Sequence, residues 1–414
     1  MTRPFEQVAS ALLSLDPERI VPGLERTREA LRRLGDPHVG RTRWCIIAGT
    51  NGKGSTAAFL DAICRADGRR TALYTSPHLE RVTERMRFGG AEIGEEDFAR
   101  LGERVLEVVA GGVPLSFFEA LTVTAFLWFA EVEPEIGVLE VGLGGRWDAT
   151  NVVDPALSVL TTVGLDHTEW LGNDLWSIAR EKAGVVRGGG VVVSGLPDAL
   201  HPVVEAAVAG GRVVRIGRDV EGSLCGGRFS YRGLGAGIDD VLLGIGGHWQ
   251  RHNATLAAAA AELLGAGGEA IARGLEYARW PGRYERIPGA PAIILDGAHN
   301  EQGARALAQT LAEDRLGRVI LVAACRQDKD AGAILGALWP HVWAAVLTRV
   351  PGPKARQPQE LAALAPGPLP GGVVEALDAE AALEGARALA SPEDTILIAG
   401  SLYLVGALRP LVRR

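Results

Sequence analysis

Residues 49–56 read Gly-Thr-Asn-Gly-Lys-Gly-Ser-Thr, and the rest of the chain is organised around this glycine-rich stretch. The apolar run Trp44–Ala48 precedes it and predicts a buried parallel strand, and the spacing of Phe59–Ile63 predicts a helix after it. A glycine turn with a lysine and two hydroxyls at a helix N-terminus favours phosphate, because backbone N–H groups turn towards the anion. The stretch departs from the GxxxxGK(S/T) pattern, since Ile47 stands at the first glycine position. An ordinary strand-to-helix turn would need neither the lysine nor the hydroxyls, so we predict a phosphate-binding loop.

The composition favours an α/β protein of two or three domains. The chain has 414 residues, of which 47% are hydrophobic, and strand-like and helix-like segments alternate along it. A net charge of −7 argues against a general nucleic-acid binder. The four cysteines form no CxxC pair, so we expect reduced thiols and not disulfides or zinc. We see no signal peptide and no uninterrupted apolar run of about 18 residues, so we expect a cytoplasmic protein without membrane contact.

Lysine is rare in this chain. Of the 43 basic residues, 39 are arginines, and the lysines are Lys53, Lys182, Lys329 and Lys354. Codon bias explains the arginine excess but not which positions stayed lysine. Only lysine can act as a neutral amine near neutral pH, so these positions are candidates for that chemistry.

Polar side chains lie at the ends of other predicted strands. Ser76, Glu140 and His167 each end or follow an apolar run, and carboxyl ends of strands meet at one edge of an open α/β sheet. A Ser-Pro turn or a lone histidine is ordinary by itself, but the three together indicate a site. A buried carboxylate such as Glu140 needs a cation, and Mg²⁺ is the natural cation beside phosphate.

The N-termini of two predicted helices carry further candidate binding residues. Phe117 and Phe118 either staple the start of an apolar helix or stack on a flat ring, and the spacing leaves both open. Glu119 is favourable at the positive end of that helix. Asn253 opens an alanine-rich helix, where its amide reads a purine edge or only occupies the first turn.

We predict a domain boundary after the break at Trp280–Arg283. The first domain is residues 1–285, with a small β-rich insertion at about 188–247 that includes short strands at 189–194, 212–216 and 228–231. The second is residues 286–414, another α/β unit whose strands end in polar residues. We expect the reaction site in the cleft between the two domains.

Nine motifs then resemble one family in order along nearly the whole chain. They are GTNGKGS at 49–55, YTSPHL at 74–79, SFFE at 116–119, LEVGLGGRWDATN at 139–151, GLDH at 164–167, REKAG at 180–184, WPGR at 280–283, DGAHN at 296–300 and GSLYLVG at 400–406. They resemble folylpolyglutamate synthase of the bacterial type that is also a dihydrofolate synthase, within the Mur ligase superfamily. The resemblance implies an α/β fold with an N-terminal P-loop ATPase-like Mur ligase central domain and a smaller, Rossmann-like C-terminal domain.

The resemblance also implies a reaction and its residues. ATP, with Mg²⁺, phosphorylates a folate-type carboxylate, and the amine of L-glutamate attacks the acyl phosphate. The implied catalytic residues are Lys53, Glu140, His167 and Lys182, and Mg²⁺ is expected on Ser76, Glu140 and His167. ATP is expected on Gly49, Thr50, Asn51, Gly52, Lys53, Gly54, Ser55, Asn253, Arg283 and Asp296. The substrates are expected on Phe117, Phe118, Glu119, Arg146, Asp148, His299 and Ser401.

Lys182 is expected to be carbamylated, both from the resemblance and because an ammonium near Mg²⁺ would offer nothing that arginine lacks. The alternative is a structural lysine paired with Glu181 or another carboxylate. Two other functions compete: a Mur-type ligase for another carboxylate, and a non-catalytic nucleotide-binding regulator. We expect a monomer that acts on small molecules, L-glutamate with reduced folate or dihydropteroate, and binds no nucleic acid.

Overall fold

The computed structural model describes residues 3–15, 22–314, 316–352 and 354–413, and the chain divides into two compact units. The first unit is Met1–Gly244 with Arg251–Ala278, and the second is Ile245–Gln250 with Arg279–Arg414. The second unit thus starts before the boundary that we placed after residue 285. Tyr284 N–H donates to Asp296 Oδ2 at 2.9 Å, which ties this segment to the strand that follows it. Of a helix that the sequence predicts at 17–34, residues 17–21 lie outside the described residues.

The first unit is built on an eight-stranded sheet. Its strands are β1 Arg43–Ala48, β2 Thr71–Tyr74, β3 Met86–Phe88, β4 Ala91–Glu92, β5 Ile136–Glu140, β6 Leu157–Leu160, β7 Val191–Ser194 and β8 Arg212–Arg215. The order is β4-β3-β2-β5-β1-β6-β7-β8, parallel from β2 to β8, with β3 and β4 antiparallel at one edge. All five residues of β5 are buried, because a central parallel strand is covered on both faces.

The β-rich insertion is smaller than we predicted. The strands expected at 189–194 and 212–216 are β7 and β8 of the main sheet, so assigning them to a separate subdomain was wrong. The valine-rich strands pair in parallel, and a helix connects them, as in an ordinary crossover. Only three strands form the separate antiparallel sheet, β9 Glu221–Cys225, β10 Arg228–Arg232 and β11 Gly237–Val241.

Ten helices are described in the first unit. They are α1 Phe5–Leu13, α2 Glu25–Arg33, α3 Lys53–Ala66, α4 Glu95–Ala110, α5 Phe117–Val132, α6 Thr168–Leu171, α7 Leu175–Ala183, α8 His201–Val208, α9 Gln250–Leu264 and α10 Gly268–Tyr277. Short 3-10 turns occur at Val82–Arg85, Ala149–Val152 and Asp198–Leu200. Helix α3 lies almost wholly in the core and packs closely on α10, where a Cβ at Gly274 would come within 2.3 Å of Ile63 Cα. This burial fixes the start of α3, which is the end of the phosphate loop.

The second unit is a six-stranded sheet with helices. Its strands are β12 Glu285–Ile287, β13 Ala292–Leu295, β14 Val319–Ala323, β15 Ala344–Leu347, β16 Val373–Glu375 and β17 Thr395–Ala399, in the order β12-β13-β17-β14-β15-β16. Only β12 is antiparallel to its neighbour. The helices are α11 Glu301–Glu313, α12 Ala331–Leu338, α13 Pro358–Leu364, α14 Ala379–Leu389 and α15 Leu402–Val412, with a 3-10 turn at Trp339–His341. The predicted α/β class is confirmed in both units.

Candidate active site

The glycine-rich loop between β1 and α3 has the geometry of a phosphate cradle. Gly49 and Gly52 adopt φ of 156° and 85°, which L side chains rarely adopt. A Cβ at Gly49 would lie 1.8 Å from Thr161 Oγ1, so no larger residue fits there. Helix α3 begins at Lys53, so the helix N-terminus, which favours anions, directly follows the loop.

The loop is fastened to the end of β6 by two threonines that our sequence interpretation missed. Thr161 Oγ1 donates to Asn51 O at 2.7 Å, and Asn51 N–H donates to Thr162 Oγ1 at 2.9 Å. Thr50 N–H also donates to Thr162 O at 2.8 Å. The signal was present, since two hydroxyls directly follow an apolar strand at a sheet edge. These bonds hold the loop before any ligand binds.

Two lysines converge on one carbonyl oxygen of this loop. Lys53 Nζ and Lys182 Nζ each donate to Gly49 O at 3.0 Å, although 129 residues separate them in the chain. Lys182 is 4% exposed and lies on α7. Burial, and then the positive charge of Lys53, lowers the pKa of Lys182 to about 7. The neutral amine of Lys182 is therefore accessible near neutral pH.

The predicted metal ligands Ser76 and Glu140 lie together. Strand β5 runs parallel between β1 and β2, so Glu140 pairs with Ile47 and ends beside Ser76. Ser76 N–H donates to Glu140 Oε2 at 3.1 Å, and the Glu140 side chain is buried. One carboxylate oxygen therefore has a fixed position at the sheet edge that carries the phosphate loop.

His167 follows β6 at the same edge. It adopts φ of 51°, caps α6, and its side chain is 40% exposed. The nearly buried carboxylate of Asp166 lies 3.9 Å from His167 Nε2. Within the described residues, no three His, Cys, Asp or Glu side chains form a ready-made metal cluster. The Mg²⁺ site on Ser76, Glu140 and His167 therefore stays a prediction. The positions of these three residues at strand ends are compatible with it.

Asn253 lies against the phosphate loop. It is buried on α9, and a Cβ at Gly52 would come within 2.2 Å of its Oδ1. We did not single out the adjacent His252 from the sequence. Its Nε2 lies within hydrogen-bond distance of Thr161 O, at 3.0 Å, and burial lowers the pKa of its imidazole. Helix α9 thus contacts the loop at Gly52 and the end of β6 at Thr161.

The polar loop after β5 is held by Asp148. Its buried carboxylate accepts hydrogen bonds from Gly142 N–H, Leu143 N–H, Thr150 N–H and Thr150 Oγ1, at 2.6–3.0 Å. Burial raises the pKa of Asp148. In contrast, Arg146 is 44% exposed and approaches Glu181 only to 3.8 Å. Asp148 therefore organises the loop, and Arg146 is the residue available to a ligand.

At the start of α5, one predicted substrate residue has a structural role and two keep exposed surface. Glu119 is nearly buried, closes a capping box with Ser116 and accepts hydrogen bonds from the Arg26 guanidinium, the shortest at 2.9 Å. Phe118 packs on Tyr74, with centroids 6.1 Å apart, and a Cβ at Gly142 would come within 2.7 Å of its ring. Phe117 and Phe118 are half-buried, and Phe117 stacks under Arg85 at 5.2 Å. Both rings therefore keep some exposed surface, and Glu119 has little.

The second unit gathers its own predicted residues at the ends of β13 and β17. Asp296 accepts hydrogen bonds from Tyr284 N–H and Ala298 N–H at 2.9 and 2.8 Å, and burial raises its pKa. His299 Nδ1 lies 2.8 Å from Gly297 O. A Cβ at Gly297 would come within 2.5 Å of Arg283 Nη1, so the Arg283 guanidinium lies over this turn.

Ser401 joins this group through the backbone. Gly400 N–H donates to Ala298 O at 3.0 Å, which brings the end of β17 beside the turn after β13. Ser401 caps α15, and its Oγ accepts a hydrogen bond from Tyr403 N–H at 3.2 Å. Arg283, Asp296, His299 and Ser401 therefore form one polar group within the second unit. None of the described helices is long and apolar enough to cross a membrane.

Known proteins match the chain along nearly its whole length. The model of the Mur ligase glutamate ligase domain matches residues 282–402. A probable bifunctional folylpolyglutamate synthase/dihydropteroate synthase of Halobacterium salinarum is 38% identical over 98% of this chain and 51% of the relative, so the chain spans about half the length of that relative.

Two solved structures cover both chains almost completely. E. coli FolC in complex with DHPP and ADP has a TM-score of 0.91 and 32% identity, covering 99% of this chain and 98% of that one. The bifunctional folylpolyglutamate synthase/dihydrofolate synthase of Yersinia pestis, complexed with AMPPNP and Mn ion, has a TM-score of 0.90 and 33% identity, covering 100% and 99%. The chain belongs to the folylpolyglutamate synthase/dihydrofolate synthase family.

Proposed function

We propose that this protein uses ATP to ligate L-glutamate to the carboxylate of a folate-type substrate. The γ-phosphoryl group passes from ATP to the substrate carboxylate, and ADP leaves. The glutamate amine then attacks the acyl phosphate, phosphate leaves, an amide forms and the nitrogen loses a proton. Relatives with the names and bound ligands of this reaction support the proposal: their structures hold DHPP with ADP, AMPPNP with Mn ion, or Mn, AMPPNP and L-glutamate. Dihydropteroate and tetrahydrofolate are the proposed acceptors.

The observation that carries the proposal is the convergence of Lys53 and Lys182 on Gly49 O. A turn that only connects a strand to a helix has no use for two buried or half-buried ammonium groups. Phosphoryl transfer, in contrast, depends on charge neutralisation and alignment around the phosphates. Lys53 neutralises the outer phosphates, and the loop N–H groups align them.

The proposed nucleotide-binding residues come from both units. In the first unit they are Gly49, Thr50, Asn51, Gly52, Lys53, Gly54, Ser55 and Asn253. In the second unit they are Arg283 and Asp296. We propose Mg²⁺ on Ser76, Glu140 and His167, where it would screen the negative charge that develops on the phosphates.

Lys182 is proposed to react with CO₂. Its pKa of about 7 leaves a neutral amine, which forms an N–C bond with CO₂ and gives one proton to water. The resulting carbamate places an oxygen-donor anion beside the phosphate loop. It also removes the repulsion between two ammonium groups that share Gly49 O.

The substrate carboxylate is proposed to approach past Phe117, Phe118 and Arg146, which have exposed surface. Glu119 and Asp148 act by positioning, because their carboxylates are engaged by Arg26 and by the loop backbone. L-Glutamate is proposed to bind at His299 and Ser401 in the second unit. No protein nucleophile is needed.

The test is ADP release with Mg²⁺ and L-glutamate, measured in parallel with dihydropteroate and with tetrahydrofolate. We expect ADP with both acceptors and none when glutamate is omitted, with mass spectrometry showing one added glutamyl residue. Turnover with tetrahydrofolate alone would restrict the activity to polyglutamylation. ADP binding without glutamate-dependent turnover on either acceptor would contradict the proposal and favour a nucleotide-binding regulator or a ligase for another carboxylate.

A further inference from the structure

A surface groove lies between α7 and α8, outside the phosphate loop. Its volume is about 530 Å³, within the range of about 300–1,000 Å³ that is usual for small-molecule sites. The groove is lined by Trp176, Arg180 and Ala183 of α7, by Val203 and Ala206 of α8, and by Arg146. The lining therefore combines apolar side chains with two arginines.

The two guanidinium groups are available to an anion. Within the described residues, Arg180 makes no hydrogen bond and no salt bridge within 4 Å, and the side chain is exposed. The carboxylate contact of Arg146 is at 3.8 Å from Glu181, longer than a hydrogen bond. Two such arginines beside an apolar floor are complementary to an anionic ligand with an apolar body.

One aromatic side chain of the groove is also exposed. Trp176, which lines the groove, is 45% exposed. The flat face of an exposed indole stacks well on a planar ring. The groove therefore combines a stacking surface with two anion-binding groups.

Helix α7 connects the groove to the catalytic loop. It presents Arg180 to the groove and Lys182, two residues later, to Gly49 O. The loop that carries Arg146 packs tightly on the same helix, because a Cβ at Gly145 would come within 2.7 Å of Lys182 O. A ligand that extends along α7 would thus lie close to the proposed reaction centre.

We propose that this groove is a distal subsite for the γ-glutamyl chain of pteroylpolyglutamates. The inference rests on the proposed function and specifies which part of the folate-type substrate binds in the groove. The free α-carboxylates of the γ-linked glutamyl chain pair with Arg146 and Arg180. The neighbouring aromatic ring of the substrate lies on Trp176. Dihydropteroate has no γ-glutamyl chain and does not use the two arginines.

The experiment compares Arg180→Gln and Trp176→Ala with the wild type and with Arg104→Gln. Arg104 is an exposed arginine on α4, and its substitution controls for the loss of a surface charge. KM and kcat are measured with tetrahydropteroyl-triglutamate, with the monoglutamate and with dihydropteroate. For Arg180→Gln we expect KM for the triglutamate to rise roughly five- to tenfold, as for a partly exposed charge-assisted contact, with kcat unchanged. KM for dihydropteroate should stay within about twofold, and Arg104→Gln should match the wild type throughout.

Three results would overturn the inference. The first is an unchanged KM for the triglutamate in Arg180→Gln. The second is an equal rise for all three acceptors, which would indicate damage to α7 and its Lys182. The third is a higher KM for ATP alone, which would assign the groove to nucleotide. Turnover by the wild-type protein on any acceptor tests the proposed ligase activity separately. A wrong assignment of the groove can therefore be told apart from a wrong assignment of the activity.

Discussion

Burial of Lys182 should destabilise the folded protein by an amount that depends on pH. Its pKa is lowered from 10.5 to about 7, so between these values the unfolded chain binds a proton that the native protein does not. Stability therefore rises with pH across this window, by about 1.4 kcal/mol for each pH unit. Between pH 7 and pH 9, the loss of this proton from native Lys182 should raise the free energy of unfolding by roughly 2 kcal/mol. Below pH 7 both states bind the proton and the full penalty is present.

Lys182→Met removes the amine and keeps most of the apolar volume. We expect the variant to be inactive and, at pH 7, more stable than the wild type, with the advantage shrinking by roughly 2–3 kcal/mol at pH 9. Urea denaturation of both proteins in CO₂-free buffer at pH 7, 8 and 9 measures this difference. Added bicarbonate should stabilise the wild type and not Lys182→Met, because carbamate formation requires the amine.

Parallel pH dependence of the two proteins would refute a lowered pKa for Lys182. A bicarbonate effect of equal size on both proteins would refute carbamate formation as its cause. Either result would leave Lys182 as a structural lysine of the phosphate loop.

The remaining predictions concern the metal and the loop. Glu140→Gln keeps the shape and the acceptor for Ser76 N–H but removes the charge, so we expect kcat to fall by at least about 100-fold with an unchanged urea midpoint. Near-normal turnover at saturating Mg²⁺ would exclude Glu140 as a ligand. Gly49→Ala should lose ATP binding and destabilise the first unit by more than about 1 kcal/mol, because its Cβ has no space and its φ is 156°. Gly336→Ala in α12, where a Cβ meets nothing within 4 Å, is the matched control and should stabilise by about 0.5–1 kcal/mol; similar melting shifts for both would contradict the steric argument.

Local sequence was sufficient to predict those parts of the site that are formed by residues close together in the chain. The phosphate loop is predictable because the apolar run, the glycines and Lys53 are contiguous, and backbone sterics allow few conformations for such a stretch. The placement of Ser76, Glu140 and His167 at one edge follows from a topological rule, since parallel strands present their carboxyl ends together. The α/β class follows from the alternation of apolar runs and helical spacing.

Contacts between distant segments required the tertiary structure. The shared carbonyl of Lys53 and Lys182, the threonines that hold the loop and the support from His252 each join residues about 90 or more positions apart. The same holds for the engagement of Glu119 by Arg26.

Strand order and unit boundaries also depended on packing. Composition alone placed Val191–Ser194 and Arg212–Arg215 in an insertion, but pairing with β6 puts them in the main sheet. The segment before Glu285 belongs to the second unit because Tyr284 N–H bonds Asp296, a contact that no local pattern encodes. Sequence by itself determined which residues could do the chemistry, through their type and local spacing. Tertiary structure decided which of them are engaged by other groups and which remain available, because burial and hydrogen-bond partners come from segments far away in the chain.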